Sequence, residues 1–398
     1  MSRRTAAAAL CALITVLSAP VGAQALDVAT LRKKLSAQSR HLSSTSGAFV
    51  RDLATGRTLY SRNGDRTRSP ASNEKLLVTG TALVKYGPDA RFRTVLKAND
   101  LPVDGVIDGD VALVGAGDPY LASSQLRMIA SQLVALGVDR INGKVLGDGS
   151  FFDSRRGSFD SGWAYDSDLA GSLGGLVLDH GRGSDPALYA AQRLRKALQQ
   201  ADIVVRKGAH SGSLTGAAHD LASVSSATIA ATIKLINHPS DNFGAEMLLK
   251  DLGATFGSAG STPAGASLVR TTLAQLGVTA RIYDGSGLSR SDQVTPREIV
   301  DLLTSIAGNP DLAPDFQDSL PLAGRDGTLY DRMRGTAAAG RCMAKTGTLN
   351  GVSALSGYCP TTSGTLVAFS FLENGMSSYT AKSVEDKMVP LIARYDGR

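Results

Sequence analysis

The sequence predicts an α+β fold: an antiparallel sheet flanked by helices, with a second domain inserted into the first. Strand patterns stand near both ends of the chain and long helical patterns lie between them, so the two termini would close one sheet. From about Phe92 to Val224 the texture changes to short β-rich runs alternating with helical runs, punctuated by Gly and Asp. The chain has 398 residues, more than one core comfortably holds.

The chain opens on Arg3 and Arg4, an apolar stretch over residues 6–19, and the small-residue site Ala23-Gln24-Ala25. This is the pattern of a secretory signal peptide cut after Ala25. The apolar stretch falls short of the ~20 residues a spanning helix needs. Loss of the two arginines lowers the formal net charge from +6 to +4, and Cys11 leaves too. Cys342 and Cys359 remain, in a compartment where a disulfide persists.

A helix is expected over 28–38, then a hairpin of strands 47–53 and 57–61 turning at Ala54-Thr55-Gly56. Leu76, Gly80 and Leu83 recur at helical spacing within 72–86, and Gly87-Pro88 stops that helix. Inside the insert, strands are expected at 92–96, 109–114 and 144–147, and helices at 126–136 and 187–199. Helices return at 227–236, 242–252, 266–276 and 296–305. Strands 342–347, 353–359 and 365–372 and a helix over 379–395 end the chain. The expected division is a leader over 1–25, a discontinuous main domain over 26–90 and 225–398, and an inserted α/β domain over 91–224.

Composition excludes several functions. The hydrophobic share of 43% is that of a folded protein. Basic residues are scattered, with no aromatic-laced run, so nucleic acid is not an expected partner. The five histidines form no chelating pair and no CxxC occurs, so neither a metal nor another cofactor is expected.

Three short motifs carry chemistry. Ser72-Asn73-Glu74-Lys75 puts a hydroxyl and an ammonium one helical turn apart. A serine hydroxyl needs a base, and a lysine serves if burial lowers its pKa. Ser240-Asp241-Asn242 precedes a helix. It is good capping chemistry, or else Ser240 relays a proton to a leaving amine while Asn242 steadies Lys75. Lys345-Thr346-Gly347-Thr348 lies on a strand, either a solvated edge or an edge that holds a peptide, with Gly347 permitting close approach. No G-x-S-x-G elbow occurs.

The ordered triple resembles the serine penicillin-binding proteins and β-lactamases. With Pro70-Ala71, Asn237, Ala245-Glu246, residues 284–290 (DGSGLSR), 115–119 (GAGDP) and 147–150 (GDGS), the chain resembles the D-alanyl-D-alanine carboxypeptidase/endopeptidase group, the low-molecular-mass class C penicillin-binding proteins. The 168 positions from Ser72 to Ser240 far exceed what class A β-lactamases have, and no E-x-x-L-N follows the second motif.

The resemblance implies a β-lactamase/transpeptidase-like fold and a serine peptidase cleaving D-alanyl-D-alanine, with D-alanyl crosslinks as a further substrate. It implies catalytic Ser72, Lys75, Ser240, Asn242 and Lys345, and substrate binding by Thr346, Gly347 and Thr348. Ser72 and Thr348 N–H would form the oxyanion hole. Peptidoglycan stem peptides and covalently bound β-lactams are the implied partners. A further small domain common in the group has too little chain between Trp163 and Pro186, so it is expected to be absent or vestigial. Alternatives are a β-lactamase or esterase on the same scaffold, and a non-catalytic wall-binding homologue. Spacing leaves undecided whether Asp148, Arg290 and Arg334 read the peptide or serve local structure.

Asn350-Gly351 is a strong two-residue hairpin signal. The register that pairs Leu349 with Val352 also sets Cys342 opposite Cys359, at a non-hydrogen-bonded position with Cα atoms ~4.5 Å apart. A cross-strand disulfide is predicted there. The same alternation turns the backbone groups of Thr346 and Thr348 away from the second strand.

Overall fold

The computed structural model describes residues 25–398, so the leader read from residues 1–25 lies, Ala25 apart, outside the described residues. The main sheet is antiparallel, with strand order Met343–Leu349, Val352–Pro360, Leu366–Asn374, Gly47–Asp52, Thr58–Arg62. The two ends of the chain meet in it, Gly47 opposite Leu372 and Asp52 opposite Val367. This is the predicted α+β architecture.

Strands Val352–Pro360 and Leu366–Asn374 are buried along nearly their whole length because both faces of the sheet are covered. On one face Leu355, Phe369 and Phe371 pack against Leu31 and Leu35 of helix Val28–Ser39 and Met388 and Ile392 of helix Ser378–Ile392. On the other, Ala354, Tyr358 and Leu372 share a core with Leu76 and Leu83 of helix Glu74–Tyr86 and Ile299 and Leu303 of helix Pro296–Ala307. The last of these helices starts on a capping box between Thr295 and Glu298, with Pro296 at its first position.

Residues 91–228 surround a core of their own, including Leu96, Leu113, Ile129, Val145 and Leu194. Strand Arg91–Ala98 leaves the helical layer and His219–Thr228 returns beside it, antiparallel. Arg91–Ala98 also pairs with Val111–Val114, which continues through Val145–Asp148 to Ala209–Ser211 in parallel. Helices Ser123–Ala135 and Pro186–Gln200 supply the helical side of this core.

The structure departs from the expectations in several places. The return strand runs to Thr228, past the texture boundary at 224: its alternation of buried positions continues through Ser226, whose polar side chain does not mark a buried strand residue. Ser72 opens no α-helix. It sits in a 3₁₀ turn, Ala71–Asn73, and the α-helix begins at Glu74. Ala71 enters that turn with φ 46°, which sets the Ser72 turn apart from the helix behind it. Between Trp163 and Pro186 the chain carries one short 3₁₀ turn, Ser167–Leu169, and no strand. This region lies over helix Asn242–Phe256, with Leu169, Leu173 and Val177 packed on Phe243 and Met247.

Candidate active site

The three motifs come together in one cleft of about 280 Å³, lined by Ser72, Ser240, Asn242, Thr346, Gly347 and Thr348. Each is positioned by a different element. Ser72 stands on the 3₁₀ turn, which Asn73 ties to the sheet through a 2.7 Å bond from Nδ2 to Ser356 Oγ. Asn242 is the first residue of a helix capped by Asp241. Thr346, Gly347 and Thr348 lie on the edge strand of the main sheet.

Lys75 is fully buried and is the hub of the cleft. Its Nζ donates to Ser72 Oγ at 3.1 Å, to Asn242 Oδ1 at 2.7 Å and to the Ser286 carbonyl at 2.5 Å. Burial pushes its pKa down to about 8, against the pull of Asp284, Glu246, Asp241 and Glu74 in the other direction. A lysine in that range releases its proton near neutral pH and accepts one from the hydroxyl it touches.

The sequence motifs hold Glu74, Asp241, Glu246 and Asp284 but assign no role to their carboxyls. Glu74, Glu246, Asp284 and Asp292 are all buried. Glu246 Oε1 accepts the N–H groups of Gly285 and Ser286 at 2.8 Å each, which fixes the carbonyl that Lys75 uses. Burial, then Asp284, pushes the Glu246 carboxyl up to about 7. Burial and carboxyl neighbours hold Glu74 and Asp292 well above the usual range too. Both oxygens of Glu74 lack a hydrogen-bond partner, which suits a neutral carboxyl.

Gly347 meets the Ser72 turn closely. A Cβ there would stand 2.9 Å from the Pro70 carbonyl oxygen and 3.0 Å from the Ser72 nitrogen. On the same strand, Ala344 N–H donates to the Pro321 carbonyl and Ala323 N–H to the Cys342 carbonyl, each at 2.9 Å. The backbone groups of residues 342 and 344 therefore face away from the hairpin partner, and by alternation so do those of Thr346 and Thr348.

Lys345 is buried, and burial, then Lys75, keeps its pKa well below the usual lysine range. Its Nζ donates to the Thr346 carbonyl at 2.8 Å and makes no hydrogen bond to Ser240. Thr346 Oγ1 donates to Thr328 Oγ1 at 2.8 Å.

The disulfide forms as predicted. Leu349 pairs with Val352, and Cys342 bonds to Cys359 with Cα atoms 4.1 Å apart. Asp148, Arg290 and Arg334 do not line the cleft. Asp148 closes a turn onto Ser150 N–H. Arg290 reaches the Asn350 carbonyl of the hairpin loop, and Arg334 pairs with Asp331. Thr328, Arg332 and Lys382 line the cleft instead. No motif marked them, because two come from the irregular stretch before the edge strand and one from the C-terminal helix.

A family model described as D-Ala-D-Ala carboxypeptidase 3 (S13) matches residues 29–173 and 177–395. A D-alanyl-D-alanine carboxypeptidase of Actinomadura sp. (strain R39) is 33% identical over 441 residues, covering 88% of this chain and 82% of that one. The solved structure of penicillin-binding protein 4 (dacB) from Haemophilus influenzae aligns with a TM-score of 0.76 at 22% identity, over 89% of this chain and 97% of that one. A penicillin G-acylated predatory endopeptidase from Bdellovibrio bacteriovorus aligns at 0.55 with 20% identity, over 86% and 88%. The two structural likenesses show the fold, that of the penicillin-binding proteins.

Proposed function

We infer function from one premise: the chain belongs to the D-Ala-D-Ala carboxypeptidase 3 (S13) family. We propose that it is a serine peptidase of peptidoglycan, cleaving the D-alanyl-D-alanine bond of stem peptides through an acyl-enzyme on Ser72. The observation that carries this reading is the buried Lys75 hydrogen-bonded at once to Ser72 and Asn242. Neutral Lys75 accepts the Ser72 proton as the oxygen attacks the carbonyl between the two D-alanines. The C–N bond breaks, and the leaving amine takes a proton relayed through Ser240 from the protonated lysine. Water then hydrolyses the ester and returns Ser72.

Gly347 brings the edge strand against Ser72, which supports an oxyanion hole from the N–H groups of Ser72 and Thr348. The hydroxyls of Thr346 and Thr348 are placed to bind the substrate carboxylate, with Lys345 behind them. A D-alanyl crosslink offers the same bond to the same groups, so endopeptidase action belongs to this reading. A β-lactam acylates Ser72 and stalls there. The substrate lies outside the cytoplasm, where the Cys342–Cys359 bond also persists.

Product analysis on uncrosslinked and crosslinked wall peptides, together with labelled penicillin, tests the proposal. Wild type should release D-alanine and take the label on Ser72, and Ser72→Ala should do neither. Undiminished turnover by the Ala variant would refute it.

A further inference from the structure

Three groups from residues 91–228 converge on the second motif. Tyr120 Oη donates to Asp241 Oδ2 at 2.7 Å. His180 Nε2 lies 3.2 Å from each Asp241 carboxylate oxygen. The Asp168 carbonyl accepts Asn242 Nδ2 at 2.9 Å, on the far side of the amide whose oxygen holds Lys75. Asp241 passes the restraint on, since its Oδ1 accepts the Phe243 N–H at 3.1 Å and caps the helix.

The fit is close. A Cβ on Gly244 would stand 2.3 Å from Tyr120 Oη and 2.8 Å from Asp241 Oδ2, so only glycine lets the phenol reach the carboxylate. The His180 ring lies 4.2 Å from the ring of Phe243, which itself packs in one apolar cluster with Leu169 and Leu173. Burial opposes the charge on Asp241, but His180 and Tyr120 outweigh it and keep the carboxyl below its ordinary range. Just before it, Ser240 has φ 66°, a left-handed conformation that a serine holds only when its surroundings impose it.

We propose that Tyr120 and His180 are positioning residues, and that through them the insert clamps Asp241 and so holds Ser240 and Asn242 where proton transfer to the leaving amine requires them. The inserted domain is then part of the catalytic apparatus, although none of its side chains touches the reacting atoms. The inference rests on the acyl-transfer reading above.

The test uses the full mature chain, a D-alanyl-D-alanine peptide and labelled penicillin. Tyr120→Phe deletes one oxygen. It should lower kcat about tenfold, the scale of one hydrogen bond to a charged group, while KM stays within about twofold. Gly244→Ala should do the same without altering Tyr120. His180→Ala should lower kcat, and His180→Gln should restore part of it. In an Asp241→Asn background, Tyr120→Phe should cost nothing more.

Unchanged kcat in a folded Tyr120→Phe variant would overturn the proposal, as would losses that multiply with that of Asp241→Asn. If His180→Ala does not fold, the Tyr120 cycle decides alone. Failure of penicillin to label wild-type Ser72 would instead strike the acyl-transfer reading.

Discussion

Glu246→Gln tests the electrostatics that make Lys75 a base. Lys75 titrates at about 8, so roughly one molecule in ten carries it neutral at pH 7 and about nine in ten at pH 9. If neutral Lys75 activates Ser72, the acylation rate rises about tenfold across that interval, with half its rise near pH 8. Glu246 titrates at about 7 and its charge favours the lysine ammonium. Below pH 7 it takes up a proton and that support weakens, so the acid limb should fall by less than one decade per unit. Gln keeps an oxygen for the Gly285 and Ser286 N–H groups but cannot carry the charge. The midpoint should therefore move to lower pH, and acylation at pH 7 should quicken. The assay is the second-order rate of Ser72 labelling by a fluorescent penicillin between pH 6 and 10 at constant ionic strength. A flat wild-type profile, a midpoint near that of free lysine, or a Gln variant shifted to higher pH would refute the reasoning.

Gly347→Ala should drive the edge strand off the nucleophile's turn, since its Cβ meets backbone atoms of Pro70 and Ser72 that cannot rotate away. Acylation should fall roughly 10–100-fold while thermal stability changes little, and an unchanged rate would remove Gly347 from the site's geometry. Burial beside Tyr86 pushes the Asp251 carboxyl up to about 7 in the fold, well above the usual aspartate range. A carboxyl raised in this way favours the folded state fully below about pH 4, and that contribution is lost as pH climbs through 7. Asp251→Asn should lack that slope and gain on the order of 1–3 kcal/mol at pH 8 relative to pH 5, read by denaturant unfolding at the two pH values.

The chemistry was legible where it is local. Ser72 and Lys75 are one turn apart in the sequence and remain so in space, and the Asn350-Gly351 loop fixed the register that joins Cys342 to Cys359. What stayed hidden depends on tertiary placement. Tyr120 and His180 reach Asp241 across 121 and 61 positions, and no periodicity links them. Glu74, Glu246 and Asp284 stand in separate motifs and Asp292 in none, and only folding buries them together. Ser240 and Ala71 carry positive φ, which residue type does not announce. The edge of the fold's main sheet was foreseen, but not the segment that lies against part of it.

That segment sets a length. Residues 321–323 occupy the outward backbone groups of Cys342 and Ala344, so the open part of the edge begins at Thr346. Two outward-facing residues, Thr346 and Thr348, remain before the hairpin loop. Under the proposed reaction, an added peptide strand would find a ladder that short and then a wall, so only a short stretch of peptide would pair there. The same wall denies a second copy of the sheet a template to grow on. A short pairing edge for peptide and resistance to edge-to-edge association would both follow from one blocking segment.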